Sequence, residues 1–212
     1  KHVIITVPMK QLQKNAITFQ GHQPSATAID SFIIADGFKI WIEYDYESSD
    51  FYEYFASHED YAAYNALDNV DTKEKVKDAG YRLFWNEGFS YADEPANKKK
   101  AVVGGLIYGN KYSEYANMTP ANVVTAIVDH LKELVDGTPT GQWVIMDWTK
   151  EKFFEGAYTI FAVEAQQEVM LEPIGGKLFF AGEALNVWTW GTVHGAAKTG
   201  RDQADEIIKL LN

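Results

Sequence analysis

The residues best placed to do chemistry lie near the end of the chain. Leu178-Phe179-Phe180-Ala181-Gly182-Glu183 is a short apolar strand running into a glycine and then an acid. Trp188-Thr189-Trp190-Gly191-Thr192-Val193-His194-Gly195-Ala196 follows as a loop feeding a glycine- and alanine-lined helix start. Free backbone N–H groups and the positive end of the helix dipole converge at such a junction, which suits an anionic or electron-rich ligand. An acid just after the strand, Glu183, is placed to accept hydrogen bonds from ribose-like hydroxyls. The same pattern also fits an ordinary strand–loop–helix crossover, so by itself it leaves both readings open.

Other chemistries are missing from the pattern. The five histidines show no His-Glu-x-x-His spacing, and there is no Gly-x-Ser-x-Gly elbow, phosphate loop or complete Gly-x-Gly-x-x-Gly. With no cysteine, disulfides, thiolate metal sites and thiol nucleophiles are excluded. The pair Gly104-Gly105 sits inside a strand pattern and reads as a place of close backbone packing. Lys39, Trp148 and Tyr158 each have an ordinary reading, as a solvated strand end, a core residue and a cross-strand aromatic.

The elements that must carry these residues are a mixture of strands and helices. Val3 to Val7 is a β-branched run closed by Pro8, a buried strand. Pro24 to Ile34 is a helix candidate. From Lys39 to Tyr46 the pattern alternates, with Ile40, Ile42, Tyr44 and Tyr46 on one face and Lys39, Trp41, Glu43 and Asp45 on the other. Tyr81–Trp85, Ala101–Tyr108 and Trp143–Trp148 read as further strands. Thr119-Pro120 opens a helix whose apolar stripe runs from Val123 to Val135, ended by Gly137. The last helix spans roughly 192–211, with Val193, Ala197, Gly200, Ala204, Ile208 and Leu211 expected to face inward.

Composition narrows the class. Of 212 residues, 46% are hydrophobic and 23% charged, which excludes a disordered chain and a coiled coil. The net charge of −11 is the wrong sign for a compact nucleic-acid binder, so no nucleic-acid partner is expected. No run reaches the length of a membrane helix, so no membrane segment is expected and the chain reads as soluble, its compartment left open. Residues 43–72 hold nine acids, no lysine or arginine and eight Phe or Tyr, read as a solvated excursion with aromatic anchors. The chain opens on a strand without a starting methionine, as a piece of something longer would.

Taken together, Phe179-Phe180-Ala181-Gly182-Glu183, Gly191-Thr192-Val193-His194-Gly195-Ala196 and Gly200-Arg201 resemble the C-terminal signature of the flavin-dependent amine oxidases. That family includes monoamine, polyamine and L-amino-acid oxidases and flavin-dependent histone demethylases. Val3–Pro8 is similar to the family strand that returns the chain from the flavin domain to the substrate domain. Ala35-Asp36-Gly37-Phe38-Lys39-Ile40 resembles the segment with the lysine near the flavin. Trp148 and Gly156-Ala157-Tyr158-Thr159 resemble the tryptophan and the Gly-x-Tyr segment beside the ring.

The resemblance implies catalytic roles for Lys39, holding a water near flavin N5, and for Tyr158, facing the substrate nitrogen. It implies FAD contacts at Val7, Trp148, Gly182, Glu183, Gly191, Thr192 and Val193. Ala157 stands where some members carry a flavin-bonded cysteine, so the FAD is expected to be non-covalent. Thr192 stands where monoamine oxidases place a second cage aromatic, and Trp188 or Trp190 would substitute for it. The N-terminal dinucleotide glycine loop is missing, so FAD binding would need a missing N-terminal FAD-binding portion as partner, and the chain alone would be inactive.

The implied fold class is α+β: a mixed-sheet substrate-binding domain over 9–172, completed by the C-terminal part of an FAD-binding α/β domain, residues 1–8 and 173–212. The implied reaction is oxidation of an amine substrate to an imine with release of hydrogen peroxide. If the acidic excursion rims the entrance, it steers cationic amines inward. Two alternatives stay open. An L-amino-acid oxidase would need an arginine for the carboxylate; only Arg82 and Arg201 exist here, with Arg201 in the flavin-domain helix, and the missing half could supply the clamp. A non-catalytic binding module would hold no cofactor.

Overall fold

A computed structural model of the chain describes residues 1–45, 53–55, 57–67, 79–87, 101–160 and 166–211. In chain order the first elements are β1 (Val3–Ile5), α1 (Met9–Gln13), α2 (Ala26–Asp30), β2 (Ile33–Ala35), β3 (Gly37–Asp45), β4 (Glu53–Phe55) and α3 (His58–Leu67). They are followed by β5 (Gly80–Asn86), β6 (Ala101–Gly109), α4 (Pro120–Leu131) and β7 (Thr138–Asp147). The chain ends with β8 (Tyr158–Ile160), α5 (Gln167–Leu171), β9 (Leu178–Phe180) and α6 (Val193–Leu211). Short 3-10 turns cover Asn110–Glu114 and Glu183–Leu185.

The described residues form two compact units. The first is built from residues 1–35 and 149–211, the second from 36–67 and 79–148. These boundaries differ from the expected 9–172 span. Met9, Leu12, Ala28, Ile29, Phe32 and Met170 share a core with Phe180, Ala184 and Leu185, which ties 9–35 and 166–171 to the chain end.

In the first unit β1 pairs parallel with β9, Val3 opposite Leu178 and Ile5 opposite Phe180, so the two end strands do share a parallel sheet. β2 pairs antiparallel with β8. The helix expected over 24–34 is shorter than its pattern. Ser25 caps α2 by accepting the Ala28 N–H, and after Ser31 the chain turns extended. The β-branched Ile33-Ile34 then pairs with Thr159-Ile160, a stiff side-chain pair that suits a strand better than a helix.

α6 also departs from its pattern. Its buried line is Gly195, Thr199 and Gln203, while of the stripe expected inward Val193, Ala197, Ile208 and Leu211 are exposed and Gly200 and Ala204 half-buried, Val193 being 89% exposed. The polar line satisfies backbone groups. Thr199 Oγ1 accepts the Gly182 N–H at 3.0 Å, and Gln203 Nε2 donates to Leu171 O at 3.3 Å. A buried backbone group left unpaired is costly, and these two bonds accompany the helix's rotation.

The second unit is a five-stranded sheet in the order β4-β5-β6-β3-β7. Every described pairing in it is antiparallel, where a mixed sheet was expected. Alternation along β3 holds as the sequence implies: Phe38, Ile40, Ile42 and Tyr44 are buried against Phe84, Val103 and Ile107, and α4 lays Val123, Ile127 and Leu131 on them. Thr119 caps α4, accepting the Asn122 N–H, and Pro120 takes its first position. Lys39, Trp41 and Glu43 occupy the other face. Tyr46 lies outside the described residues.

Part of the acidic stretch is not a solvated excursion. Asp60 on α3 is fully buried and forms an ion pair with Arg82 of β5, Oδ2 to Nη2 at 3.1 Å. Phe55 packs edge-on with Tyr61 and Tyr81 and tilted against Tyr64, and Tyr64 packs edge-on with Tyr81, as aromatic anchors would. Residues 46–52, 56 and 68–72 of that stretch lie outside the described residues.

Candidate functional site

The first unit gathers four of the singled-out residues around one cavity. It has a volume of about 310 Å³ and is lined by Val7, Tyr158, Gly182 and Glu183, together with Ala157 and Leu185. Val7 reaches it from the turn after β1. Tyr158 opens β8, and the backbone before it lies close under β2: the Ala157 N–H donates to Ala35 O at 2.7 Å. A Cβ at Gly156 would come within 2.5 Å of Ile34 Cγ2, so only glycine allows that approach. Neither Trp188, 88% exposed, nor Trp190 lines this cavity.

Glu183 is the organising group. Its Oε1 accepts the Thr159 hydroxyl at 2.7 Å and the Thr159 N–H at 3.3 Å. Its Oε2 accepts the Gly191 N–H at 2.9 Å. One carboxylate therefore clasps β8 to the loop ahead of α6. An ionised carboxylate offers about four lone-pair positions, and these bonds fill three. Gly191 takes a φ of 69°, a region that favours glycine, beside the Tyr158 ring.

Asn186 Oδ1 shapes the same loop by accepting the Trp188 and Thr189 N–H groups. Thr192 caps α6, its hydroxyl accepting the Gly195 N–H at 3.1 Å. Thr192 thus has a local structural task, and capping leaves the N–H groups of Val193 and His194 without intrahelical acceptors. His194 is exposed. Sequence reasoning missed Thr159, Asn186 and Thr199. The hydroxyls lie inside or beside the motifs already quoted, and a polar residue at helical spacing from Gly195 was the available signal for Thr199.

Lys39 and Trp148 come together in the second unit. The Lys39 Nζ lies 5.7 Å from the centroid of Trp85 and 5.9 Å from that of Trp148. Trp85 Nε1 donates to Glu87 Oε1 at 2.7 Å, and Trp41 Nε1 reaches the same oxygen at 3.3 Å. Trp85 was read only as a strand residue. Its signal was the glycine opposite it, Gly104, which the sequence already marked as a place of close packing.

Of the two arginines, Arg82 is committed. Beyond Asp60 it reaches Glu114 Oε2 and His130 Nε2, at 3.3 and 3.2 Å. Burial opposes its charge, but the hydrogen bonds and the Asp60 carboxylate more than offset this and hold its pKa above the ordinary arginine value. Arg201 is exposed on α6. Among the described residues, no group of three His, Asp or Glu side chains is placed to hold a metal, and no helix is long and apolar enough to cross a membrane.

The chain is similar to known proteins along its whole length. Lysine-specific histone demethylase 1 homolog 3 of Arabidopsis thaliana is 30% identical over 153 residues, 61% of this chain and 9% of that protein. Protein FLOWERING LOCUS D of the same plant is 30% identical over 140 residues, 61% of this chain and 17% of that protein. Among solved structures, cyclohexylamine oxidase from Brevibacterium oxydans IH-35A superposes with a TM-score of 0.67 at 19% identity, over 100% of this chain and 43% of that one. A triple mutant of putrescine oxidase gives 0.66 at 14% identity, over 98% and 43%. The chain thus spans less than half of each of these relatives. The family model for flavin containing amine oxidoreductases matches residues 1–208, and the chain belongs to that family.

Proposed function

We propose that this chain supplies the substrate-side and C-terminal flavin-side residues of an FAD-dependent amine oxidase, which oxidises an amine C–N bond to an imine and releases hydrogen peroxide. The observation that carries this reading is one cavity lined by Val7, Tyr158, Gly182 and Glu183, four residues drawn from three separate motifs. Its apolar walls and one carboxylate fit a flat, partly polar group, and the N-terminus of α6 suits an anionic part of the same ligand. When bound, FAD supplies the two-electron acceptor.

The chain's own residues have separable tasks in this reading. Tyr158 offers an aromatic wall to the amine. Gly182 and Gly191 let backbone approach closely, and Val193 presents its amide at the helix start. Trp148 would be among the residues that hold the flavin. Lys39 holds a water and relays a proton at its amine nitrogen. With Ala157 at the position where the resemblance would put a flavin-bonded cysteine, this chain would hold the FAD without a thioether. The commitment of Arg82 to Asp60 and Glu114 removes it as a carboxylate clamp, so an amino-acid substrate would need an arginine from the missing portion.

Residues 1–8 and 173–212 would belong to the FAD-binding domain, with the segments 9–35 and 166–171 packed on them, and the sheet unit within 9–172 would serve the substrate, with a further N-terminal portion completing the flavin site. The two-stranded parallel sheet supports this, because parallel sheets are ordinarily wider and covered on both faces. The exposed apolar residues of α6 support it too. The test is Lys39→Met in the flavin-loaded protein, followed by stopped-flow reduction and reoxidation. A fall of about 10²- to 10⁴-fold in one half-reaction at normal flavin occupancy is expected. Unchanged rates in both steps return Lys39 to an ordinary strand residue.

A further inference from the structure

Lys39 carries its charge on the sheet face opposite the core, and among the described residues no carboxylate pairs with it. Two indole faces stand there instead, Trp85 at 5.7 Å and Trp148 at 5.9 Å. An ammonium within about 6 Å of an indole face is attracted by the ring's quadrupole. Two such faces confine the nitrogen without occupying its N–H groups, which stay available to a water.

Trp85 is itself held from two sides. Its indole N–H donates to Glu87, which also takes the indole N–H of Trp41. Gly104 stands in register with Trp41 on one side and Trp85 on the other. A Cβ at Gly104 would come within 2.7 Å of Trp85 Cζ2, so the ring lies across β6 only because that residue is glycine. Glycine weakens a strand interior, and here it provides the floor on which the indole rests.

We propose that Trp85 is a positioning residue that fixes the Lys39 ammonium, with Gly104 and Glu87 fixing Trp85 in turn. The consequence for catalysis rests on the reading of Lys39 given above, whereas the positioning itself belongs to this chain with or without flavin. Two measurements separate them. In the 212-residue chain, ring currents shift the Lys39 ε-methylene protons upfield in the NMR spectrum, the signal being assigned by its loss in Lys39→Met. Trp85→Leu returns the signal toward its unshifted position, Trp85→Phe keeps part of the shift, and Gly104→Ala displaces it with the indole still present.

In the flavin-loaded protein, Trp85→Leu slows the Lys39-dependent step by about tenfold, a fraction of what positioned proton transfer contributes. Trp85→Phe recovers most of that, and Trp85→Leu adds nothing on a Lys39→Met background. Unshifted Lys39 resonances in the unsubstituted chain overturn the proposal, as does full additivity in the double variant. A ring-current shift that responds to Trp85 while Lys39→Met leaves both half-reactions unchanged upholds the positioning and sinks the catalytic reading of Lys39.

Discussion

Replacing Glu183 with alanine removes the clasp between β8 and the loop ahead of α6. Three hydrogen bonds disappear, two from Thr159 and one from Gly191. They do not weigh equally. Thr159 is 1% exposed, so its N–H is left buried without an acceptor, while Gly191 is exposed and water replaces its partner. A hydrogen bond to a charged group contributes about 1.5–3 kcal/mol, and an orphaned buried donor costs about 1–3 kcal/mol. With water restoring the Gly191 bond, Glu183→Ala is expected to cost about 2–4 kcal/mol. At this chain length each kcal/mol lowers Tm by roughly 2–4 °C. Calorimetry reads the shift, and amide hydrogen exchange locates it, with faster exchange expected at Thr159 and Gly191. Glu183→Gln keeps an acceptor for Thr159 and is expected to recover about half of the loss. A Tm within about 1 °C of the unsubstituted chain, with unchanged exchange at both amides, refutes the clasp.

Asp60→Ala leaves the Arg82 guanidinium, 11% exposed, without its buried partner, and a loss of about 3–5 kcal/mol is expected in a denaturant titration; a loss under about 0.5 kcal/mol contradicts the role of this pair in joining α3 to β5. His130 Nε2 lies 3.2 Å from both Arg82 Nη1 and the Tyr115 hydroxyl, an arrangement that suits the neutral ring. Burial against these groups, and then the Arg82 charge, holds its pKa below the ordinary histidine value, with Glu114, Asp60 and Asp129 opposing weakly. Below about pH 6.5 the unfolded chain binds the proton more readily than the folded one, so stability falls with pH there. The urea midpoint should drop on going from roughly pH 7 to roughly pH 5, and His130→Gln should flatten that slope; a slope that the substitution leaves intact places the titration elsewhere.

The elements whose burial follows one simple period were legible in the sequence. β3 alternates because one face meets α4 and the other does not, and α4 carries a single apolar stripe. The end strands pair because both are apolar on both faces. What stayed hidden goes with backbone satisfaction rather than apolar period. α6 buries Thr199 and Gln203, which serve Gly182 and Leu171, and leaves most of its apolar stripe exposed. Asp60 looked like one acid among nine, because the distant Arg82 that buries it sits on another strand. At the site, Glu183 stood out by its place after a strand and glycine, but its bonds to Thr159 and Gly191 join three segments and no local pattern encodes them. Lys39 stood out through resemblance alone, and its two indole neighbours emerge only when β3, β5 and the end of β7 are set side by side.

The central claim is that this chain helps hold a flavin and present an amine to it. The most direct measurement is anaerobic mixing of the flavin-loaded protein with a series of primary and secondary amines and L-amino acids, followed through the visible flavin absorbance. Bleaching by amines and return of the colour on admitting oxygen with formation of peroxide is the expected result. A protein that takes up no flavin when supplied with its N-terminal portion, or whose bound flavin keeps its colour with every amine, contradicts the account.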